Sequence, residues 1–184
     1  MTAPPRDTAF LEIEHKYVVP DDFDPDAFAA RVMALGPAKT VYVRTRDTYF
    51  LTALPGYIFR HRFDRDRNEL TVKSYGGDNR TRIEVNLALA GPDPLDTVRE
   101  LLRPLGIVRE ARIDKVSRIF EFADCEIVYY VASHDDSTVR CVEVEAVAAP
   151  SETEALAVIA RYEDRLGLTG LVRSEKNLFD LLIE

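Results

Sequence analysis

Glutamates and a lysine at alternate positions, Glu12-Ile13-Glu14-His15-Lys16, are the residues near the start of the chain whose types and spacing could do chemistry. Apolar Leu11, Ile13, Tyr17 and Val19 break up the charges at period two, which predicts a strand. Glu12, Glu14 and Lys16 then share one face, and Leu11 and Ile13 the other. Carboxylates two residues apart on a strand lie about 6.7 Å apart and repel by roughly 2.5 kcal/mol at an effective dielectric of 20, so something cationic should offset them. The same alternation recurs downstream. Arg60 and Arg62 lie opposite Tyr57, Phe59 and Phe63, and Thr71 and Lys73 lie opposite Leu70 and Val72. Arg82 and Glu84 alternate with Ile83 and Val85, and Glu143 and Glu145 with Val142, Val144 and Ala146. Each alternation alone is what a half-exposed antiparallel strand shows. In five strands, however, the polar face carries chiefly Glu, Lys and Arg, where an ordinary soluble sheet would also use Ser, Thr, Gln and Asn.

That mixture points to phosphate chemistry. Arg and Lys donate to phosphate oxygens, Arg often in bidentate fashion, and glutamates hold a hard cation through oxygen. Mg²⁺ suits the set, because it is bound by a few carboxylates together with substrate phosphates. Cleavage then needs no dedicated nucleophile: metal and lysine charge stabilise the transferring phosphoryl group while a water attacks. Ser117 has no triad partner. By parity His15 and His61 fall on the apolar sides of their strands and His134 falls in a polar loop, so all three read as structural. Arg65, Arg67 and Arg80 sit at turn tips, where solvated charge is the default. Tyr129 and Tyr130 read as packing in or beside the strand wall.

The elements that must position these residues follow from the same patterning. Asp24-Pro25 is an N-cap with proline at the first helical position, and Phe28, Val32 and Leu35 recur at helical spacing up to Gly36-Pro37. Lys39 to Leu51 is strand-like. Tyr57 to Phe63 and Glu69 to Ser74 pair around the charged tip from Asp64 to Asn68, and Gly76-Gly77-Asp78-Asn79 turns the chain into Thr81 to Leu89. A second helix follows Pro92-Asp93-Pro94, with Leu95, Val98, Leu101 and Leu102 as its stripe. Ile107 to Phe122, Glu126 to Ala132 and Val139 to Ala148 are further strands. Ser151 opens a third helix with Glu154 at the capping-box position, Leu156, Ile159, Ala160 and Leu166 facing inward, and Gly167 at C′. The tail from Ser174 predicts a helical turn. The class is α+β; if the strands curl into a closed antiparallel barrel, their charged faces line a wet channel and the helices pack outside.

The totals fit one domain spanning residues 1–184. Acidic residues outnumber basic ones by 32 to 24, a net charge of −8 that argues against a general binder of nucleic acid or of anionic membranes. Cys125 and Cys141 lack metal-ligand spacing and read as buried, reduced thiols. With no leader and no apolar run near the roughly 20 residues of a membrane span, the chain reads as soluble and cytoplasmic.

Taken in order, these stretches resemble the CYTH family, the triphosphate tunnel metalloenzymes that include class IV adenylyl cyclases, thiamine triphosphatases and inorganic triphosphatases. Glu12-Ile13-Glu14-His15-Lys16 is similar to the family's opening Glu-x-Glu-x-Lys, and Asp47-Thr48-Tyr49-Phe50 to its Asp-x-Tyr-Tyr strand. Arg60-His61-Arg62, Lys73, Arg82-Ile83-Glu84 and Glu143-Val144-Glu145 follow in the family's sequence. The resemblance implies a closed eight-stranded barrel and a Mg²⁺ or Mn²⁺ ion on Glu12, Glu14, Glu143 and Glu145. It implies phosphate contacts from Arg60, Arg62, Lys73, Arg82, Lys115, Arg118 and Lys176, with Glu84 supporting the site. Lys16 would sit at the scissile phosphate, with Glu14 as its catalytic companion. Three places depart from the pattern. Val128-Tyr129-Tyr130-Val131 stands where the family often has an aspartate ligand, leaving Asp135 or Asp136 as substitutes. Lys115 and Arg118, three apart, share a face only across a bulge. Asn177-Leu178 replaces the closing Ser-Tyr. The implied activity is metal-dependent hydrolysis of inorganic tripolyphosphate or a small organic triphosphate. The alternatives are an adenylyl cyclase making cyclic AMP and pyrophosphate, or a non-catalytic polyphosphate-binding or nucleotide-binding module. Homodimerisation is left open.

Overall fold

The computed structural model describes residues 9–64, 67–74, 81–91 and 94–183, and within these all side chains but those of 9–12 and 81–83. Among the described residues, one large antiparallel sheet and four α-helices make the fold α+β. In order they are β1 (Ala9–Val18), α1 (Pro25–Ala34), β2 (Lys39–Thr52), β3 (Tyr57–Phe63), β4 (Asn68–Ser74), β5 (Thr81–Ala88) and α2 (Leu95–Leu102). Then come β6 (Ile107–Glu121), β7 (Cys125–His134), β8 (Ser137–Ala146), α3 (Glu152–Leu166), β9 (Arg173–Ser174) and α4 (Leu178–Ile183). The strand order is β5-β4-β3-β2-β6-β7-β8-β1-β9, and β5 also pairs with β1. The chain divides into two compact units: Thr45–Asp114 with β1 up to Glu12, and Ile13–Arg44 with Lys115–Glu184.

In the first unit, β2 to β5 form the predicted meander, and its register sorts the side chains into rows. Asp47, Arg62 and Glu69 stand in one row, and Tyr49, Arg60, Thr71 and Asn86 in the next. Leu51, Ile58, Lys73 and Glu84 make the third. The other face carries Phe50, Phe59 and Leu70, buried with Val98 and Leu102 of α2. Leu101, expected in that stripe, is 58% exposed, because the helix presents the i, i+4 pair Val98 and Leu102 and turns its neighbour outward.

In the second unit, Ile13 and Tyr17 of β1, Val142 and Val144 of β8, and Cys125 and Ile127 of β7 pack against Phe28 and Val32 of α1 and against α3. Ser151 caps α3 by accepting from the Glu154 amide, and Gly167 ends it at φ 71°. The buried positions of α3 are Ala155, Ile159, Tyr162, Glu163 and Leu166. The stripe therefore runs from Ala155, and Ala160, expected inward, is exposed. A glutamate lies in a helix face that the apolar pattern alone assigns to hydrocarbon. The tail, read as a helical turn from Ser174, instead forms β9 before α4 begins. Both cysteines are buried and free, and no helix among the described residues is long and apolar enough to cross a membrane. The turn at Gly76 to Asn79 and the tips Arg65 and Arg80 lie outside the described residues.

Ile159 is fully buried where α3 meets the sheet. Ile159→Ala is expected to cost about 2–5 kcal/mol of unfolding free energy in urea titrations. A loss under about 0.5 kcal/mol, typical of surface positions, would place α3 off the core.

Candidate functional site

The charged face of the first unit is a chain of ion pairs. Asp47 is fully buried, and its carboxylate accepts from Arg62 Nε at 2.8 Å and Nη2 at 2.6 Å, a bidentate pair. Burial opposes the Arg62 charge, but the Asp47 carboxylate outweighs it and holds the guanidinium's pKa above its usual value. Arg60, 9% exposed, donates through Nη2 to Thr71 Oγ1 at 3.0 Å and lies 3.8 Å from both Glu69 and Glu84. Its Nε is buried and has no hydrogen-bond partner among the described residues. Thr71 Oγ1 lies 2.8 Å from Asn86 Oδ1, and the Asn86 amide donates to Glu84 Oε1 at 2.9 Å. Lys73 ion-pairs with the same glutamate. Burial pushes the Glu84 carboxyl up, yet the charges of Lys73 and Arg60, with hydrogen bonds from Lys73 and Asn86, hold it down at about 2. Tyr49, in the same row as Arg60, is buried and its phenol is pushed up by that burial.

The second unit presents a different balance. Lys16, 5% exposed, lies 3.5 Å from Glu14 and 3.2 Å from Glu143. Register puts Glu126, Glu145 and Glu14 in one row across β7, β8 and β1, and Val128, Glu143, Lys16 and Ser174 in the next. Tyr130 donates its hydroxyl to Glu143 Oε1 at 2.8 Å, and Lys115 Nζ sits 3.9 Å from the Tyr130 ring centroid. Burial, with the nearby Glu143 charge, raises the Tyr130 pKa well above normal, so the phenol stays a donor. Four carboxylates, Glu14, Glu126, Glu143 and Glu145, thus accompany two ammonium groups, Lys16 and Lys115.

Of the residues singled out in the sequence, the structure brings Arg60, Arg62, Lys73 and Glu84 together in one unit and Glu14, Lys16, Lys115, Glu143 and Glu145 in the other. The side chains of Glu12 and Arg82 lie outside the described residues. Arg118 does not join either group: its guanidinium lies 5.1 Å from the ring centroids of Tyr42 and Phe120 and 3.9 Å from Asp26 of α1. Alternation along β6 sends Lys115 and Arg118 to opposite faces, as their spacing requires. Lys176 is exposed, with its backbone amide on Ser174 Oγ. Asp135 and Asp136 form the β7–β8 turn, Asp135 at φ 48°, at the end of the hairpin away from the Glu126–Glu145 row. His134 ends β7 rather than lying in a loop.

Sequence reasoning passed over Asp47, Asn86, Glu126 and Ser174 as members of these rows, and placed Tyr130 only in the wall. Parity was the available signal for Glu126 and Tyr130, which fall on one face of β7. Asp47 and Ser174 needed the register. Among the described residues no three or more His, Cys, Asp or Glu side chains converge closely enough to hold a metal ion. The donor set is nonetheless all carboxylate oxygen, the chemistry a hard divalent cation takes.

No family model matches the chain, and no curated protein matches it. Solved structures do. A protein from Pyrococcus horikoshii aligns with a TM-score of 0.73 at 19% identity, covering 93% of this chain and 99% of its own. A conserved hypothetical protein from Pyrococcus furiosus aligns at 0.72 and 21% identity, with the same coverages of 93% and 99%. A candidate adenylate cyclase from Bacillus halodurans aligns at 0.68 and 17% identity, covering 96% of this chain and all of its own. The chain therefore shares the fold of these three proteins.

The depressed Glu84 carboxyl gives the charged face a pH signature. A group whose folded pKa, about 2, lies below its ordinary value of 4.5 adds stability above pH 4.5 and loses it as pH falls towards 2. Glu84→Gln is expected to be less stable than wild type by on the order of 3 kcal/mol at neutral pH, with the gap closing across that window. Urea titrations at several pH values measure it; a gap that does not change with pH would contradict the ion-pairing described.

Proposed function

We propose that the chain is a divalent-metal-dependent phosphoanhydride hydrolase acting on inorganic tripolyphosphate or a small organic triphosphate. The observation that carries this reading is Arg60: a guanidinium nine-tenths buried, in a charged row, with Nε lacking a protein acceptor among the described residues. A buried donor without a partner costs about 1–3 kcal/mol, and a phosphate oxygen would satisfy it. In this reading the sheet closes through the β5–β1 pairing into an eight-stranded barrel whose charged faces line a tunnel.

Arg60, Arg62 and Lys73 then bind the phosphate oxygens that do not react, with Glu84 and Asp47 holding them in place. Arg82, Lys115 and Lys176 extend the same cationic lining. Lys16 neutralises the charge that develops on the bridging oxygen as water attacks the terminal phosphorus and the P–O bond to pyrophosphate breaks. Glu14 orients that water. Glu12, Glu14, Glu143 and Glu145 would hold Mg²⁺ or Mn²⁺, which when bound offsets the negative charge of the phosphate oxygens. The all-oxygen donor set of these glutamates supports a divalent cation there.

A second reading has one specific support, the likeness to a candidate adenylate cyclase. In that reaction the ribose 3′-oxygen of ATP replaces water and attacks the α-phosphorus, releasing pyrophosphate. The phosphate-binding residues would be the same.

Purified protein incubated with tripolyphosphate and Mg²⁺ or Mn²⁺ is expected to release phosphate, and chelator to stop it. Lys16→Ala and Glu14→Ala should each lower kcat by about 10²–10³-fold, the scale for removing one electrostatic contact to a transition state. With ATP, cyclic AMP would favour the cyclase. Metal-dependent binding of tripolyphosphate with no product from either substrate would leave a non-catalytic binding module.

A further inference from the structure

On the face of β1 turned away from Glu14 and Lys16 lies a buried titratable group that the proposed reaction does not use. His15 Nδ1 is 2.6 Å from Glu163 Oε1, and Tyr17 donates its hydroxyl to the same oxygen at 2.5 Å. Arg173 Nη1 lies 2.9 Å from His15 Nε2. A guanidinium can only donate, so Nε2 is the acceptor and the imidazole proton sits on Nδ1, aimed at Glu163. Burial pushes the Glu163 carboxyl up, but the hydrogen bonds from His15 and Tyr17 outweigh it, so the group stays a carboxylate below its usual range. The chain Arg173 to His15 to Glu163 therefore links β9, β1 and α3.

Such a network is a costly way to fill space, since hydrocarbon of similar volume packs as well or better. Its placement suggests what it does instead. β9 has two residues, paired as Tyr17↔Arg173 and Lys16↔Ser174. Two ladder positions are too few to hold a strand by themselves. Arg173 extends from the core face of that strand onto the imidazole, while Ser174 shares the other face with Lys16. The Lys176 amide then bonds Ser174 Oγ at 3.3 Å.

We propose that Glu163, His15 and Arg173 are positioning residues: a relay anchored on α3 that docks the segment 173–176 onto β1, setting Ser174 beside Lys16 and fixing the lysine's backbone. The docking stands on the geometry alone; its effect on turnover rests on the phosphohydrolase reading. Arg173 is the residue to test first, because its side chain is 29% exposed and truncating it leaves the core filled.

Hydrogen exchange on the full chain, read by mass spectrometry, is expected to be about tenfold or more faster over residues 173–176 in Arg173→Ala, the effect of losing one charge-assisted hydrogen bond. Exchange in β8 should stay as in wild type. His15→Ala should match it, the double variant should be no worse than either single one, and Arg173→Lys should recover part of the protection. With tripolyphosphate, Arg173→Ala should lower kcat about tenfold with KM little changed. Unchanged exchange over 173–176 in Arg173→Ala overturns the proposal, as does faster exchange with full kcat. If the wild-type chain turns over no triphosphate, the reaction fails while exchange still decides the docking.

Discussion

An ammonium group persists inside a sheet only beside carboxylates, and Lys16, held between Glu14 and Glu143, sets the constraint that the second unit obeys. Side chains on a strand alternate, so a slip of β1 by one residue against β8 would carry Glu14 and Lys16 into the hydrocarbon of Ile159 and Val144. The same slip would put Ile13 and Tyr17 among the glutamates. Both faces therefore demand one register, Glu14↔Glu145 and Lys16↔Glu143. The first unit repeats the logic: Arg62 finds Asp47 only when Phe50 and Phe59 meet α2.

The two charged faces differ in a way that bears on chemistry. In the first unit Arg60, Arg62 and Lys73 are matched by Asp47, Glu69 and Glu84, so the named groups sum to zero. Cations held this way are pre-oriented: Asp47 engages the Nε and Nη2 edge of Arg62. A polyanion arriving there meets donors whose side-chain entropy is already spent. In the second unit Lys16 lies between Glu14 and Glu143, and Tyr130 donates to that same Glu143.

The faces were legible in the sequence, and the partners were not. Period-two alternation assigns Glu14, Arg60, Lys73 and Glu145 to polar faces without any knowledge of pairing, and all four lie there. Which carboxylate meets which cation is a property of register, set by residues tens of positions apart. Asp47 therefore read only as part of the Asp47-Thr48-Tyr49-Phe50 strand, with no partner, until β3 placed Arg62 opposite it. Lys115 and Arg118 needed only parity to be separated, and the structure shows which one faces Tyr130. Glu163 was illegible for another reason. An apolar-stripe reading of α3 counts hydrocarbon and skips a glutamate, whose burial makes sense only once His15, on a strand 148 residues away in sequence, supplies a donor.

These ion pairs also argue against a purely structural origin for the pattern. Removing two charges from water costs several kcal/mol each, and their attraction repays this only with good geometry, so a buried pair is often no better for stability than packed hydrocarbon. A sheet that needed only to fold could carry Val and Ile on these rows, as it does on its opposite faces. Here Lys16, Arg60, Asp47 and Glu84 are all buried, and the Arg60 Nε lacks an acceptor among the described residues. Stability alone would remove that donor, whereas a ligand that arrives with its own oxygens accounts for keeping it. The same reasoning separates the two buried networks. The Glu163 relay satisfies its named donors within the protein, which suits a group that holds a strand in place, and the Arg60 row leaves one of its donors open, which suits a group that binds.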